Sequence, residues 1–315
     1  MKHMSSGQER TDVVIVGGGP AGLSAALSLG QARRRVIVVD AGKPRNMTAA
    51  HMHGVLGHDG RSPLRLLELG RKEAAGYGVQ LIHGAVTTAR TDGTAIEVET
   101  AKGSIRTRRL LVATGLDDEL PNIPGLRQQW GRGVVVCPYC DGWEHRNEVI
   151  GIVATSPRSI EQAQLLRQWS DQIVYFANGL GEPPADEMEA LVRRGIRFEP
   201  GSVFGLRIDD DRVTGVEVDG RVLPVGVVFT GPTPRPRDAL LRSLGATTTD
   251  GPLGSWVEID DDGRTSVPGV WAVGNVVNVR ANVSVSLGLG SLVAGALNAD
   301  LVADDIAQTL ATAAS

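Results

Sequence analysis

Three observations predict an α/β fold of two three-layer domains, the second inserted in the first. The run Val13-Val14-Ile15-Val16 leads into a glycine turn and a helical stretch. Strand-into-turn patterns recur at Leu110 to Gly115 and at Gly269 to Asn275, with another strand–helix unit between them. Proline-rich stretches at Leu120 to Gly125 and Thr230 to Pro236 mark the exit from the first unit and the return to it. The expected organisation is a discontinuous first domain over 11–116 and 237–315, with an inserted domain over 117–236.

Gly17, Gly19 and Gly22 form GxGxxG, and Pro20 and Ala21 sit where a helix begins. Ala21 to Leu29 reads as that helix, and Arg35 to Asp40 as a second strand ending in an acid 21 residues beyond Gly19. Strand, glycine turn, helix, strand, acid is the order of a Rossmann-like dinucleotide-binding unit. Gly17 permits the tight turn, Gly19 lets the backbone approach a pyrophosphate, and Gly22 brings helix and sheet close. Free N–H groups at the helix start then hold phosphate, and Asp40 can accept hydrogen bonds from a ribose.

Composition excludes several classes. Thirty-two basic against 36 acidic residues, a net charge of −4, give no basic surplus for nucleic acid or an anionic membrane. No unbroken run of eighteen apolar residues suggests a membrane span. Met1 to Ser6 lacks the apolar core of a signal peptide and reads in part as a cloning remnant. A soluble, cytoplasmic protein is expected. Forty glycines fall in short turns rather than low-complexity runs.

The only two cysteines stand in Cys137-Pro138-Tyr139-Cys140, followed by Asp141-Gly142. Two thiols at this spacing can close a disulfide, reopen it and so store two electrons. A structural disulfide across so short a loop would stabilise little. Structural zinc normally takes four Cys or His ligands, and only His145 is near in sequence, so no metal is expected. CPYC also occurs in glutaredoxins, but there it lies near the start of a small domain.

The glycine turn at Gly17 to Gly22, the strand into Ala113-Thr114-Gly115, CPYCDG, and the strand into Gly274-Asn275 occur in this order. Together they resemble the FAD-dependent pyridine nucleotide–disulfide oxidoreductases of the short, thioredoxin reductase-like type. The resemblance runs from about Thr11 to about Ala303. It implies that GxGxxG holds the FAD pyrophosphate, that Ala113-Thr114-Gly115 closes the FAD domain and that Gly274-Asn275 touches the ribityl chain. The family usually has Asp where Asn275 stands; an amide still hydrogen-bonds hydroxyls, at one negative charge fewer. The next helix, starting near Val283 and Ser284, is implied to aim its positive end at the flavin pyrimidine ring. Its Gly288, Gly290 and Gly295 also read as ordinary close packing.

The resemblance also shows what is missing. NADPH-using relatives carry a second glycine loop after the first strand of the inserted domain, here Glu148 to Val153. This chain has Ala154-Thr155-Ser156-Pro157-Arg158-Ser159 there, without glycine, before a helix over Ser159 to Trp169. Those relatives place arginines after the next strand, where Tyr175 to Leu180 has no basic residue. NADPH use is therefore doubtful, although the surface around Arg158 remains an alternative site. The resemblance is nearest in kind to dithiol oxidases that form disulfides in natural products; O2, giving H2O2, is the expected electron acceptor, with a ferredoxin-like carrier as the alternative. An NADPH-dependent thioredoxin or protein-disulfide reductase and a non-enzymatic flavoprotein redox sensor are the alternatives. By resemblance, Cys140 is the flavin-proximal cysteine, Cys137 exchanges with substrate, and Asp141 shuttles protons or caps a helix. Tyr139 and Trp143 are candidates for holding an apolar substrate or for core packing. His53 and His58, in a histidine-rich stretch, are candidate bases or loop polarity. A homodimer is implied.

Overall fold

The computed structural model describes residues 11–313. Met1 to Ser6, set aside above, lies outside them. The chain divides into two units. The first comprises the chain up to Arg45, Leu64–Asp117 and the chain from Pro234 onward; the second comprises Asn46–Pro63 and Asp118–Thr233.

In the first unit the strand Thr11–Val16 is buried throughout. It pairs in parallel with Val36–Asp40 on one side and Gly103–Val112 on the other. Gln80–His83 extends this parallel sheet at one end, and Val270–Ala272 also runs parallel to Gly103–Val112. Alternation along a strand divides the core: Val13 and Ile15 join one cluster, Val14 and Val16 the cluster on the other face. The helix Pro20–Gln31 opens with proline at its first position, where a missing N–H costs nothing.

The long helix Val283–Ala313 crosses Pro20–Gln31 closely at Gly290, where a Cβ would collide with the Ala21 carbonyl. Gly288 and Gly295 face open space, so of the three glycines only Gly290 is required by packing. By length and composition alone this helix is long and apolar enough to cross a bilayer. One face of it packs into the core of the first unit. Val293, Ala294, Leu297 and Leu301 are buried, and Asp300, Asp304 and Asp305 pair with Arg109, Arg108 and Arg34.

The second unit holds a parallel five-stranded sheet in the order Ile196–Glu199, Ile173–Phe176, Ile150–Val153, Val227–Thr230, Val134–Val135. The antiparallel meander Val203–Asp209, Arg212–Val218 and Arg221–Pro224 accompanies it. The proline-rich crossings form a two-stranded ribbon, Leu116–Glu119 with Thr233–Pro236. The result is a two-domain, Rossmann-like α/β fold. Asn46–Pro63 groups with the inserted unit although it precedes it in sequence. The reason is tertiary: Thr48 lies against Gly131, and His53 bonds Glu144.

Candidate active site

Three segments far apart in sequence meet at the start of the Pro20–Gln31 helix. Gly17 has φ +109, and a Cβ there would collide with the Ala113 carbonyl. A Cβ at Gly22 would strike the Gly17 carbonyl, and one at Gly274 would lie 3.0 Å from the Ala21 methyl. These glycines hold turn, helix and both strand ends together. Gly19 differs: a Cβ there meets nothing within 4 Å, so the space before the helix N-terminus is open. That open cradle fits a pyrophosphate, the group for which such N-termini are suited. Gly18, not singled out above, is needed because the Asp40 carboxylate lies against it. Asp40 is held at its strand end by Gly42 N–H at 3.1 Å and faces Arg71 at 3.5 Å. Thr114 donates to the Arg237 carbonyl at 2.7 Å, and Gly115 accepts from Arg237 N–H at 2.9 Å.

Asn275 has a geometry an aspartate could not share. Its Nδ2 donates to the Asn278 and Ala281 carbonyls, both at 2.9 Å, and its Oδ1 accepts from Arg45 at 3.4 Å. The amide thus pins the loop that leads to Val283 and Ser284. Asn282 caps that helix, accepting from Val285 N–H at 2.9 Å. Bound here, FAD would be held by Gly17 to Gly22 and Asp40 at its adenosine end and by the Asn275 segment at the other.

In the second unit the dithiol is closed as a Cys137–Cys140 disulfide, with Cα atoms 5.2 Å apart. Cys137 occupies the N-cap position of the short helix Pro138–Asp141, and its carbonyl accepts from Cys140 and Asp141 N–H groups. Asp141 therefore ends this helix rather than capping its start. Gln162 steadies the approach by donating to the Val136 carbonyl at 2.7 Å. The Trp169 ring lies where a Cβ on Gly142 would fall, and it packs edge-on against Tyr139 at 5.7 Å. Trp169 is thus the platform of the dithiol turn, which sequence reasoning saw only as a helix end.

Burial pushes the Asp141 carboxyl up to about 6, with the Glu144 charge adding and His145 and His53 opposing. A carboxyl poised there exchanges protons readily near neutral pH. Tyr139 and Trp143 are not core residues: they are 71% and 60% exposed, and Arg146 stacks over Trp143 at 4.3 Å. They form an apolar surface on either side of Cys140 and Asp141 in the chain. His53 has both ring nitrogens on carboxylates, Nε2 on Glu144 at 2.6 Å and Nδ1 on Asp59 at 3.2 Å. Burial works against its charge, but these two carboxylates outweigh it and raise the pKa. A protonated ring can donate to both carboxylates at once, which is why they raise the pKa. Among the described residues, His58 Nδ1 is buried without a hydrogen-bond partner. Glu144 and Asp59, though visible in the sequence, carried no spacing signal that would join them to His53.

The loop expected to lack an NADPH cradle is closed on itself. Ser159 Oγ accepts the N–H groups of Thr155 at 3.1 Å and Ser156 at 3.4 Å. Thr155 Oγ1 donates to the Gly231 carbonyl at 2.8 Å. After the next strand, Asn178 bridges the Ala154 carbonyl and Val203 N–H.

The chain belongs to the pyridine nucleotide-disulphide oxidoreductase family, whose model matches residues 11–290. The crystal structure of HlmI superposes with a TM-score of 0.90 at 46% identity, covering 97% of this chain and 96% of that one. Thioredoxin reductase tcpT of Claviceps purpurea is 27% identical over 93% of this chain and 95% of its own length. A probable thioredoxin reductase of Arthroderma benhamiae is 33% identical over 55% of this chain, which spans 45% of that relative. Fold, family and the single redox-active cysteine pair make this chain a flavin-dependent thiol–disulfide oxidoreductase.

Proposed function

We propose that the chain is a dithiol oxidase that closes an intramolecular disulfide in a small, natural-product-like dithiol in the cytoplasm. The observation that carries this reading is the sealed loop of the second unit, where Ser159 takes the N–H groups of Thr155 and Ser156. Electrons then enter through the thiols rather than from NADPH. A substrate thiolate attacks Cys137 Sγ, a mixed disulfide forms, and Cys140 leaves as thiolate. The second substrate thiolate attacks the substrate sulfur of that mixed disulfide and releases Cys137. Substrate has lost two electrons and two protons, and the cysteine pair has gained the electrons. Asp141 is suited to take a proton from an incoming thiol, whose ordinary pKa is ~8.5. Exposed Tyr139 and Trp143 supply apolar surface for the substrate body. The chemistry that FAD supplies when bound is acceptance of the electron pair and its transfer to O2 as H2O2.

A homodimer is part of this reading. The long helix leaves Val285, Leu292, Val302, Ile306 and Leu310 exposed, an apolar stripe that a second copy would cover. The deciding experiment for the function compares reductants under argon by following flavin absorbance. A small dithiol is expected to bleach the flavin quickly and micromolar NADPH slowly or not at all. Rapid, saturable bleaching by NADPH would establish a reductase instead.

A further inference from the structure

The Asn46–Pro63 segment forms a compact loop inside the second unit. Met52 N–H bonds the Arg61 carbonyl at 3.0 Å, Gly60 N–H the Met52 carbonyl at 2.9 Å, and His58 N–H the Val55 carbonyl at 2.8 Å. Met52 and Val55 are buried, while Leu56 at the tip is fully exposed. Asp59 closes the loop from within, accepting from Gly54 N–H at 2.9 Å and meeting His53. The outward tie is His53 Nε2 to Glu144 Oε1 at 2.6 Å. Glu144 follows Trp143 and lies three residues beyond Asp141, in the turn that leaves the dithiol helix. Leu56 is three residues from His53, so its backbone stays within about 11 Å of the tie.

We propose that His53 is a positioning residue: held between Asp59 and Glu144, it straps the Met52–Arg61 loop to the dithiol turn and sets Leu56 as a wall for an apolar substrate. This rests on the dithiol-oxidase reading for its substrate class, but not for the strap itself. Leu56 then has a use for an exposure that folding alone does not favour; Tyr139 and Trp143 are exposed as well. The titratable groups facing His53 are Glu144 and Asp59, and Asp141 senses both His53 and Glu144. The strap is charge-assisted and therefore weakens as pH rises and His53 loses its proton.

The test measures backbone hydrogen exchange of residues 52–61 and steady-state kinetics with a small apolar dithiol, on the FAD-loaded full chain. Glu144→Ala is expected to speed exchange in the loop and raise KM, each by about tenfold, with kcat within about twofold. Glu144→Gln, which can still accept from His53, should recover part of both. Leu56→Ser should raise KM alone and leave exchange unchanged. Unchanged exchange in Glu144→Ala overturns the strap, and a fall in kcat at constant KM makes Glu144 a proton-handling group instead. Wild-type chain that turns over no small dithiol refutes the oxidase reading, while the exchange data still decide the strap.

Discussion

Asp141→Asn should make this protein more stable and less active, with a stability gain that depends on pH. Burial is the main reason the Asp141 carboxyl stands at about 6 rather than 3.8. A carboxyl whose folded pKa is raised favours the folded state while it is protonated. That stability is fully present below 3.8 and is lost as pH rises through about 6. A difference of about two units at ~1.36 kcal/mol each amounts to about 3 kcal/mol of lost stability by pH 7.5. An asparagine carries no charge to desolvate. The variant's advantage over wild type should therefore grow by about 3 kcal/mol between pH 4 and pH 7.5, several degrees in melting midpoint. Thermal unfolding of the oxidised, FAD-loaded proteins across that range is the assay. The same substitution removes the proton acceptor beside the dithiol and should lower turnover by about a hundredfold or more. The wild-type activity limb near pH 6 should disappear with it. A stability difference that stays constant with pH would refute the reasoning, because desolvation of a charge cannot act without the charge.

Three further outcomes are expected. Cys137→Ser and Cys140→Ser should each abolish turnover, and an aromatic disulfide reagent should label Cys137 in the Cys140→Ser variant faster than Cys140 in the converse one. The opposite order of labelling, read by mass spectrometry, would exchange the two assigned roles. Light scattering at micromolar concentration should give a dimer mass for wild type. Leu292→Glu, in the middle of the exposed stripe of the long helix, should shift that mass toward monomer; an unchanged dimer would place the interface elsewhere.

Much of this architecture was legible because it rests on local rules. A buried strand, a turn that only glycine can make and a helix opened by proline leave signals within a few residues. Thr11–Val16, Gly17 to Gly22 and Pro20–Gln31 appear where the pattern put them. The absent second glycine loop was visible for the same reason. Contacts between distant segments were not legible. No spacing rule joins His53 to Glu144, 91 positions away, so the two carboxylates that flank this histidine were not legible. Trp169 and Gly142 are linked by packing, which periodicity does not report. Asn275 read as a loss of charge, whereas its amide makes two donor bonds that a carboxylate cannot make.

The two units treat the same motif in opposite ways, and this bears on the direction of electron flow. Each has parallel-paired strands, one of which leads into a turn and a helix, at Val16 to Pro20 in one and Val153 to Ser159 in the other. In the first, Gly19 leaves the helix start open, so backbone N–H groups can meet a pyrophosphate. In the second, Ser159 Oγ already occupies two such N–H groups, and Pro157 has none to offer. A dinucleotide would have to break those bonds and clear the side chains before gaining anything from the backbone. Charge-assisted bonds to phosphate contribute ~1.5–3 kcal/mol each, so forfeiting two weakens binding by about two to four orders of magnitude. The turn of the second unit is thus less suited to a dinucleotide than that of the first. That contrast is why a thiol donor, entering electrons at the sulfur, is the reductant proposed for this chain rather than a nicotinamide.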